Sequence, residues 1–191
     1  NEALYYSKKE TNNKVREATI INNIGVVLRN NKQYKKAIQH FKTVLETDSL
    51  EINDLDLYAK ALSNLASSKL HDNDTLGVNK LLLEAIEIKS RENMTASLAS
   101  SYLSYAEYKA YANDTLTAIA NAKIAVDLSE KSQNNERLLL GWEFLAELEK
   151  KEAANYFKKY IKLSDSLQKE ERKLQNKFAR IRFETDEFIA E

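Results

Sequence analysis

The chain has 191 residues, with 29 basic and 29 acidic side chains and neither proline nor cysteine. A net charge of zero gives no overall field that favours nucleic acid, and the lack of cysteine excludes disulfides and thiolate metal sites. With three glycines and many strong helix formers, little interrupts helices, and the sequence predicts an all-α fold.

The N-terminal part predicts a short helical segment followed by a helical pair. Residues 2–11 are expected to form the tail of a separate helix, with Leu4 and Tyr5 capping the pair that follows. The pair is expected near 13–30 and 33–47. Its first helix carries an apolar stripe at helical spacing, which consists of Ile20, Ile21, Ile24, Val27 and Leu28.

Two further helical pairs are predicted in the middle of the chain. The tripeptide Asp-Thr-Leu begins at Asp74 and again at Asp114, 40 residues later. Aspartate accepts hydrogen bonds from the free N–H groups of a first turn, so each tripeptide is expected to open the second helix of its pair. The predicted ranges are 54–71 with 75–89 and 94–112 with 115–131.

The last pair is predicted at 135–148 and 151–163, and helical periodicity continues beyond it. Ser164 or Asp165 could cap a new helix, or one long helix could run through this region. A weak heptad pattern, which also contains Glu171 and Thr185, indicates a possible homodimer through this C-terminal helix. Its apolar positions are Leu167, Leu174, Phe178, Ile181 and Phe188.

A spacing pattern repeats along the chain. Gly25, Ala37 and Phe41 are separated by 12 and 4 residues, and the same spacing returns 116 residues later. A glycine inside a helix costs roughly 1 kcal/mol relative to alanine, so close approach of a second helix is the expected reason for each. The other copies are Ala66, Val78 and Leu82, then Ala106, Ala118 and Ala122, then Gly141, Ala153 and Phe157.

This pattern resembles the tetratricopeptide repeat, although the proline that commonly ends that unit is absent here. The resemblance covers roughly residues 13–163. It implies an all-α right-handed α-α superhelix, a solenoid of about four helical hairpins with a long C-terminal helix. The chain would then divide into a repeat domain at 1–163 and an extended helix at 164–191 that leads toward a missing membrane or output region.

The same resemblance implies a non-catalytic module that binds a protein or peptide in a concave face built from first helices. The candidate residues are small or hydrogen-bonding, and they do not resemble the basic clamp that some members use for a terminal carboxylate. A solvated helix face and a ligand groove remain open alternatives. The candidates are Asn22, Val26, Arg29, Ser63, Asn64, Ser67, Ser104, Glu107 and Tyr111.

No cluster of residues predicts catalysis, a metal site or a cofactor. The two histidines, His40 and His71, fall in different pairs and are expected to be ordinary surface or capping residues. Residues 72–83 resemble a calcium loop only in part, because Leu83 stands where a bidentate glutamate is required. We therefore expect a protein that is not an enzyme.

The C-terminal segment carries a second resemblance. Residues 175–187 (QNKFARIRFETDE) are similar to the segment that closes the tetratricopeptide sensor region of membrane-anchored regulators in Bacteroidetes-type bacteria. The resemblance implies a periplasmic domain of an inner-membrane protein and a membrane helix outside this chain. The alternative is a cytoplasmic adaptor. We expect no nucleic-acid binding by the basic stretch at 169–183, because it is short and acidic residues follow it.

Overall fold

The computed structural model describes the backbone of residues 2–190 and the side chains of residues 9–182 and 185. Leu4, Tyr5 and Phe188 lie outside the described side chains. Within this range the chain forms nine helices and no strand, so the predicted all-α fold is confirmed. The helices are α1 (Glu2–Asn30), α2 (Tyr34–Leu45), α3 (Leu50–Asn53), α4 (Leu55–His71), α5 (Val78–Arg91), α6 (Thr95–Tyr111), α7 (Thr115–Lys131), α8 (Asn135–Leu148) and α9 (Ala153–Ala190).

The long helices pair as four hairpins that stack in chain order. The hairpins are α1–α2, α4–α5, α6–α7 and α8–α9, and each packs on the next through α2–α4, α5–α6 and α7–α8. The first helices also contact one another, through α1–α4, α4–α6 and α6–α8, whereas in the described part no comparable contact joins consecutive second helices. The stack is therefore a curved solenoid with α1, α4, α6 and α8 on its inner, concave side.

One turn geometry joins most of the helices. In five turns a residue adopts the left-handed conformation, and the N–H of the following residue donates to a carbonyl five residues earlier, as from Asp114 to Lys109 at 2.8 Å. This is the Schellman ending of a helix. Four of these turns are spaced 20 residues apart, which gives the inner hairpins a 40-residue repeat. The left-handed residues are Lys32, Asn73, Asn93, Asn113 and Gln133.

The helix boundaries differ in places from the sequence prediction. Helix α1 is continuous from Glu2, so the separate segment at 2–11 was wrong; polar residues occur near residue 12, but neither glycine nor proline breaks the helix. Of the two alternatives at the C-terminal end, the structure has the single long helix, because α9 is continuous through Ser164 and Asp165. The short α3 was not predicted, and its fully buried Leu50 fills the space between α1, α2 and α4.

The two Asp-Thr-Leu tripeptides behave differently. The side chain of Asp114 accepts from the backbone N–H of Thr117 at 3.3 Å and caps α7, as predicted. Asp74 instead accepts from the N–H of Leu76 at 3.0 Å within a turn, and α5 begins only after Gly77, whose φ is +76°. The left-handed Gly77 belongs to a turn that precedes α5. The predicted start of this helix at residue 75 was therefore wrong.

The repeat positions lie mostly where helices touch. Ala153 is partly buried, and Gly25 and Gly141 are buried. Small residues at the other positions let neighbouring helices approach closely. The fully buried repeat positions are Ala37, Phe41, Ala66, Val78, Leu82, Ala106, Ala118 and Ala122.

The two glycines serve different contacts, and this corrects the expected equivalence of the outer copies. A Cβ on Gly25 would lie 2.7 Å from Cε1 of Phe41, in the same hairpin. A Cβ on Gly141 would lie 2.6 Å from Cγ2 of Val126, in the preceding hairpin. Phe157 is 48% exposed, whereas Phe41 is fully buried. The reason is that no further hairpin of the described structure covers α9 on that side.

The ends of the stack leave apolar residues exposed. Ile20, Ile24 and Val27, which were predicted to form part of a core stripe, are exposed on α1 because no hairpin precedes it in the described structure. Residues 168–182 of α9 are exposed, including Leu174 and Phe178. Among the described residues, no helix combines enough length with enough apolarity to cross a bilayer.

Candidate binding cavity on the concave face

A polar cavity of about 230 Å³ lies on the concave side, and all four hairpins contribute to its wall. Its lining comes from the first helices α1, α4, α6 and α8, and from one second helix, α5. Ligand pockets commonly enclose roughly 300–1,000 Å³, so the cavity itself suits one small group of a ligand. Six of the predicted concave residues line it, namely Arg29, Ser63, Asn64, Ser67, Ser104 and Glu107.

The other three predicted residues lie elsewhere. Asn22 is buried behind the wall, where its Oδ1 accepts from Nδ2 of Asn64 at 3.1 Å. Val26 packs against the core around Phe41. Tyr111 is 51% exposed at the end of α6 and does not line the cavity. The repeat register therefore identified six residues of the cavity wall, whereas the three residues that it placed there wrongly are Asn22, Val26 and Tyr111.

Sequence reasoning missed four ionisable residues of the cavity, which are Lys60, His71, Lys89 and Arg137. Arg137 lies on the first helix of the last hairpin, from which no candidate was drawn although the repeat register reaches it. His71 was interpreted as an ordinary residue. Its Nδ1 lies 2.8 Å from the carbonyl oxygen of Ser67, so Nδ1 carries the proton and donates.

Lys89 is the most unusual residue of the cavity. Its side chain is 1% exposed, and its Nζ donates to Oγ of Ser63 at 2.9 Å and to Oγ of Ser101 at 2.7 Å. The two hydroxyl oxygens are 2.8 Å apart. Loss of hydration lowers the pKa of Lys89 to about 8, against a weaker opposing effect of Asp56. A buried ammonium is thus held by neutral hydroxyls alone.

Comparison of equivalent turns explains why Lys89 has no carboxylate partner. Lys69 and Lys109 occupy the same position before their turns, and each pairs with the aspartate five residues later, at 2.9 and 3.5 Å. The corresponding residue after Lys89 is Met94. The ammonium therefore has no acceptor across the turn, and it lies between α4 and α6 instead.

Two arginines from opposite ends of the repeat line the same cavity. Arg29 of α1 donates through Nη1 to Oδ1 of Asn64 at 3.0 Å. Arg137 of α8 approaches only its neighbour Glu136, at 3.9 Å, among the described ion pairs. Loss of hydration lowers the pKa of Arg29, and the positive charge of Arg137 lowers it further. The curvature of the solenoid brings these two guanidinium groups into one electrostatic environment.

Glu107 is the acidic residue of this cavity wall. Desolvation raises the pKa of its carboxyl group, while the fields of His71, Arg137 and Arg29 oppose that rise. Among the described ion pairs, none joins Glu107 to a cation within 4.0 Å. The carboxylate therefore offsets part of the positive charge at a distance without closing the cavity.

The hydroxyl–amine contacts raise the question of catalysis. A serine beside a lysine amine is the arrangement of Ser–Lys nucleophiles. Ser63 and Ser101 lie within α4 and α6, where backbone N–H groups donate to the preceding turn and none is free to hold an oxyanion. Among the described side chains, no three His, Asp or Glu residues converge on a metal position. The groups present are suited to binding.

Comparison with models of known protein families finds no match for this chain. A search of curated proteins also finds no matching sequence.

Proposed function

We propose that the chain is a non-catalytic binding module of the tetratricopeptide type, which takes a protein or peptide ligand in its concave groove. The observation that carries the proposal is the cavity to which four hairpins contribute, because a surface shared by all units suits a ligand that spans them. Its wall offers guanidinium, hydroxyl and amide groups for hydrogen bonding, as at Arg29, Ser104 and Asn64.

Peptide selection with a blocked groove tests this proposal. Random peptides displayed on phage would be selected on the immobilised 191-residue chain. Selected peptides should lose binding to Ser104→Trp, in which an indole occupies the cavity, and should keep binding to Asn79→Trp on the exposed face of α5. Equal binding to both variants, with both folded by circular dichroism, would contradict the groove as the binding surface.

We further propose that the module is the periplasmic sensory region of a membrane-anchored bacterial signalling protein or transcriptional regulator. The support is the resemblance of residues 175–187 to such regulators, together with the shape of α9. This helix packs on α8 in the last hairpin, is exposed over residues 168–182 and continues as a helix to Ala190. A shift of the last hairpin would therefore move the far end of the same helix.

Protease accessibility in cells tests the compartment. Spheroplasts expressing the full-length protein would be treated with protease, and the repeats would be followed with an antibody. Digestion from outside, with the remainder in the membrane fraction, is the expected result. Protection until lysis, with the protein in the soluble fraction, would favour the cytoplasmic adaptor instead. A cytoplasmic enzyme in the same cells serves as the lysis control.

A further inference from the structure

The charge of the cavity is unbalanced. Four cationic side chains line it, which are Arg29, Lys60, Lys89 and Arg137, against the single carboxylate of Glu107. Lys60 forms an ion pair with Asp56 on the same helix, so it is compensated locally. Arg137 lies 3.9 Å from Glu136, whose side chain is 77% exposed and outside the cavity, so that pair compensates Arg137 only weakly. Arg29, Lys89 and Arg137 therefore remain, and Glu107 offsets one of them. The described structure thus holds an excess of about two positive charges in this cavity.

The donors of this cavity are not saturated. The ammonium of Lys89 has three N–H bonds, and the described contacts use two of them, to Ser63 and Ser101. The guanidinium of Arg29 uses one described bond, to Asn64. Arg137 makes no described hydrogen bond through its side chain. Lys89 is buried, whereas Arg29 and Arg137 are partly exposed in the cavity, and an acceptor with negative charge would fit the remaining N–H groups of all three.

We infer that this cavity is a binding site for a compact dianion, a ligand that carries a phosphate group or two neighbouring carboxylates. The inference rests on the proposed function, because it names the chemical class of ligand that the groove recognises. Arg29, Arg137 and Lys89 all line the cavity and would supply the cationic donors for the anion. Two negative charges on the ligand would neutralise the excess positive charge of the cavity, and the cavity volume of about 230 Å³ matches a small group.

The negative charge of Glu107 distinguishes an anion-binding site from a cation-binding site, and its removal is the most discriminating test. A cation-binding site would depend on this carboxylate, which lies among the lining residues. In an anion site it repels the ligand. Glu107→Gln keeps the shape of the side chain and removes the charge, so it should tighten binding of an anion and abolish binding of a cation.

The experiment is calorimetric titration of the 191-residue chain at pH 7 with sodium phosphate and, separately, sodium succinate, with sodium chloride at matched ionic strength as the reference. We expect at least one of the two dianions to bind beyond chloride. Arg137→Gln and Lys89→Met should each weaken that binding about tenfold or more. Lys69→Met, at the equivalent position of another turn and outside the cavity, is the matched control.

The titrations distinguish the two classes of dianion and can also overturn the inference. Phosphate alone would identify a phosphoryl ligand, and succinate alone a dicarboxylate. The inference is overturned if neither dianion exceeds chloride, if Arg137→Gln and Lys89→Met bind like Lys69→Met, or if Glu107→Gln abolishes binding. If peptides selected on the groove still bind while both dianions fail, the proposed function stands and only the dianion is wrong.

Discussion

At the scale of single residues, Lys89 is placed at a cost to stability. Its pKa in the folded chain is about 8, against 10.5 for an exposed lysine. The folded state therefore binds this proton less tightly than the unfolded state does. Below pH 8 both states are protonated and the full penalty applies, which is about 3 kcal/mol. The penalty falls as the pH rises from 8 to 10.5, because only the folded state loses the proton.

Lys89→Met is expected to stabilise the fold at pH 7 by about 1–3 kcal/mol. The methionine fills a similar volume without a buried charge, and the hydroxyls of Ser63 and Ser101 still bond to each other and to Ala59 and Ser97. Urea unfolding at pH 7, 9 and 10.5 measures the effect. The wild type should gain stability over this range relative to Lys89→Met.

Lys69→Met is the control for that comparison, since its ammonium is paired with Asp74 near the surface. It should show no stabilisation at pH 7. A Lys89→Met variant that is less stable than the wild type at pH 7 would mean that the protein itself stabilises the buried ammonium. The charge of Lys89 would then be no argument for an anionic ligand.

The two helical glycines predict unequal responses to alanine. Gly25→Ala should destabilise the fold by about 1–3 kcal/mol, because the new methyl group meets the buried ring of Phe41. Gly141→Ala meets a methyl of Val126, which is only partly buried and can change rotamer, so the loss should be offset by the gain in helix propensity of about 1 kcal/mol. Thermal unfolding of both variants compares them.

The double variant Gly141→Ala with Val126→Ala isolates the second contact. It should restore whatever stability Gly141→Ala alone has lost to crowding. Equal destabilisation by Gly25→Ala and Gly141→Ala would mean that both helical contacts are equally rigid, contrary to the different burial of Phe41 and Val126.

At the scale of elements, the turns were detectable in the sequence but were not used. Asn73, Asn93 and Asn113 are spaced at 20 residues, and each adopts a left-handed conformation at a helix end. Asparagine tolerates that conformation better than most residues. A regular asparagine spacing predicts regular turns, and it predicts the ends of α4, α5 and α6.

Gln133→Gly should stabilise the fold by roughly 1 kcal/mol, because glycine adopts a positive φ without the Cβ clash that glutamine has at 53°. The matched variant Asn113→Gly should gain less, since asparagine already suits this conformation. The midpoints of urea unfolding compare the two. A larger gain at Asn113 would contradict this account of the turns.

Helix α9 predicts self-association at the element scale. Its exposed Leu174, Phe178 and Ile181 lie at alternating spacings of 4 and 3 residues, the spacing of a coiled-coil seam. Sedimentation should therefore show a mass that rises with concentration. Phe178→Glu should abolish the rise, while Lys177→Glu, one position off the seam, should leave it intact. A monomeric wild type at high concentration would exclude this contact.

At the scale of the whole molecule, the sequence predicted the helices and much of the concave face, but not the cavity. Periodicity and the absence of breakers follow from local chemistry, and they are visible along the chain. The presence of Arg29 and Arg137 in one cavity depends on the summed rotation of four hairpins, which no local pattern contains. Lys89 was missed because it lies on a second helix, and its burial follows from the absence of a partner at Met94.

The position of Arg29 and Arg137 in one cavity also bears on cooperativity. In a stack where each unit contacts only its neighbours, the end units unfold most easily. A dianion held by both arginines joins α1 to α8, so opening either end would require release of the ligand. Hydrogen exchange should then slow at both ends together when phosphate or succinate binds. The bound chain would unfold cooperatively as a single unit, whereas the free chain opens from its end hairpins.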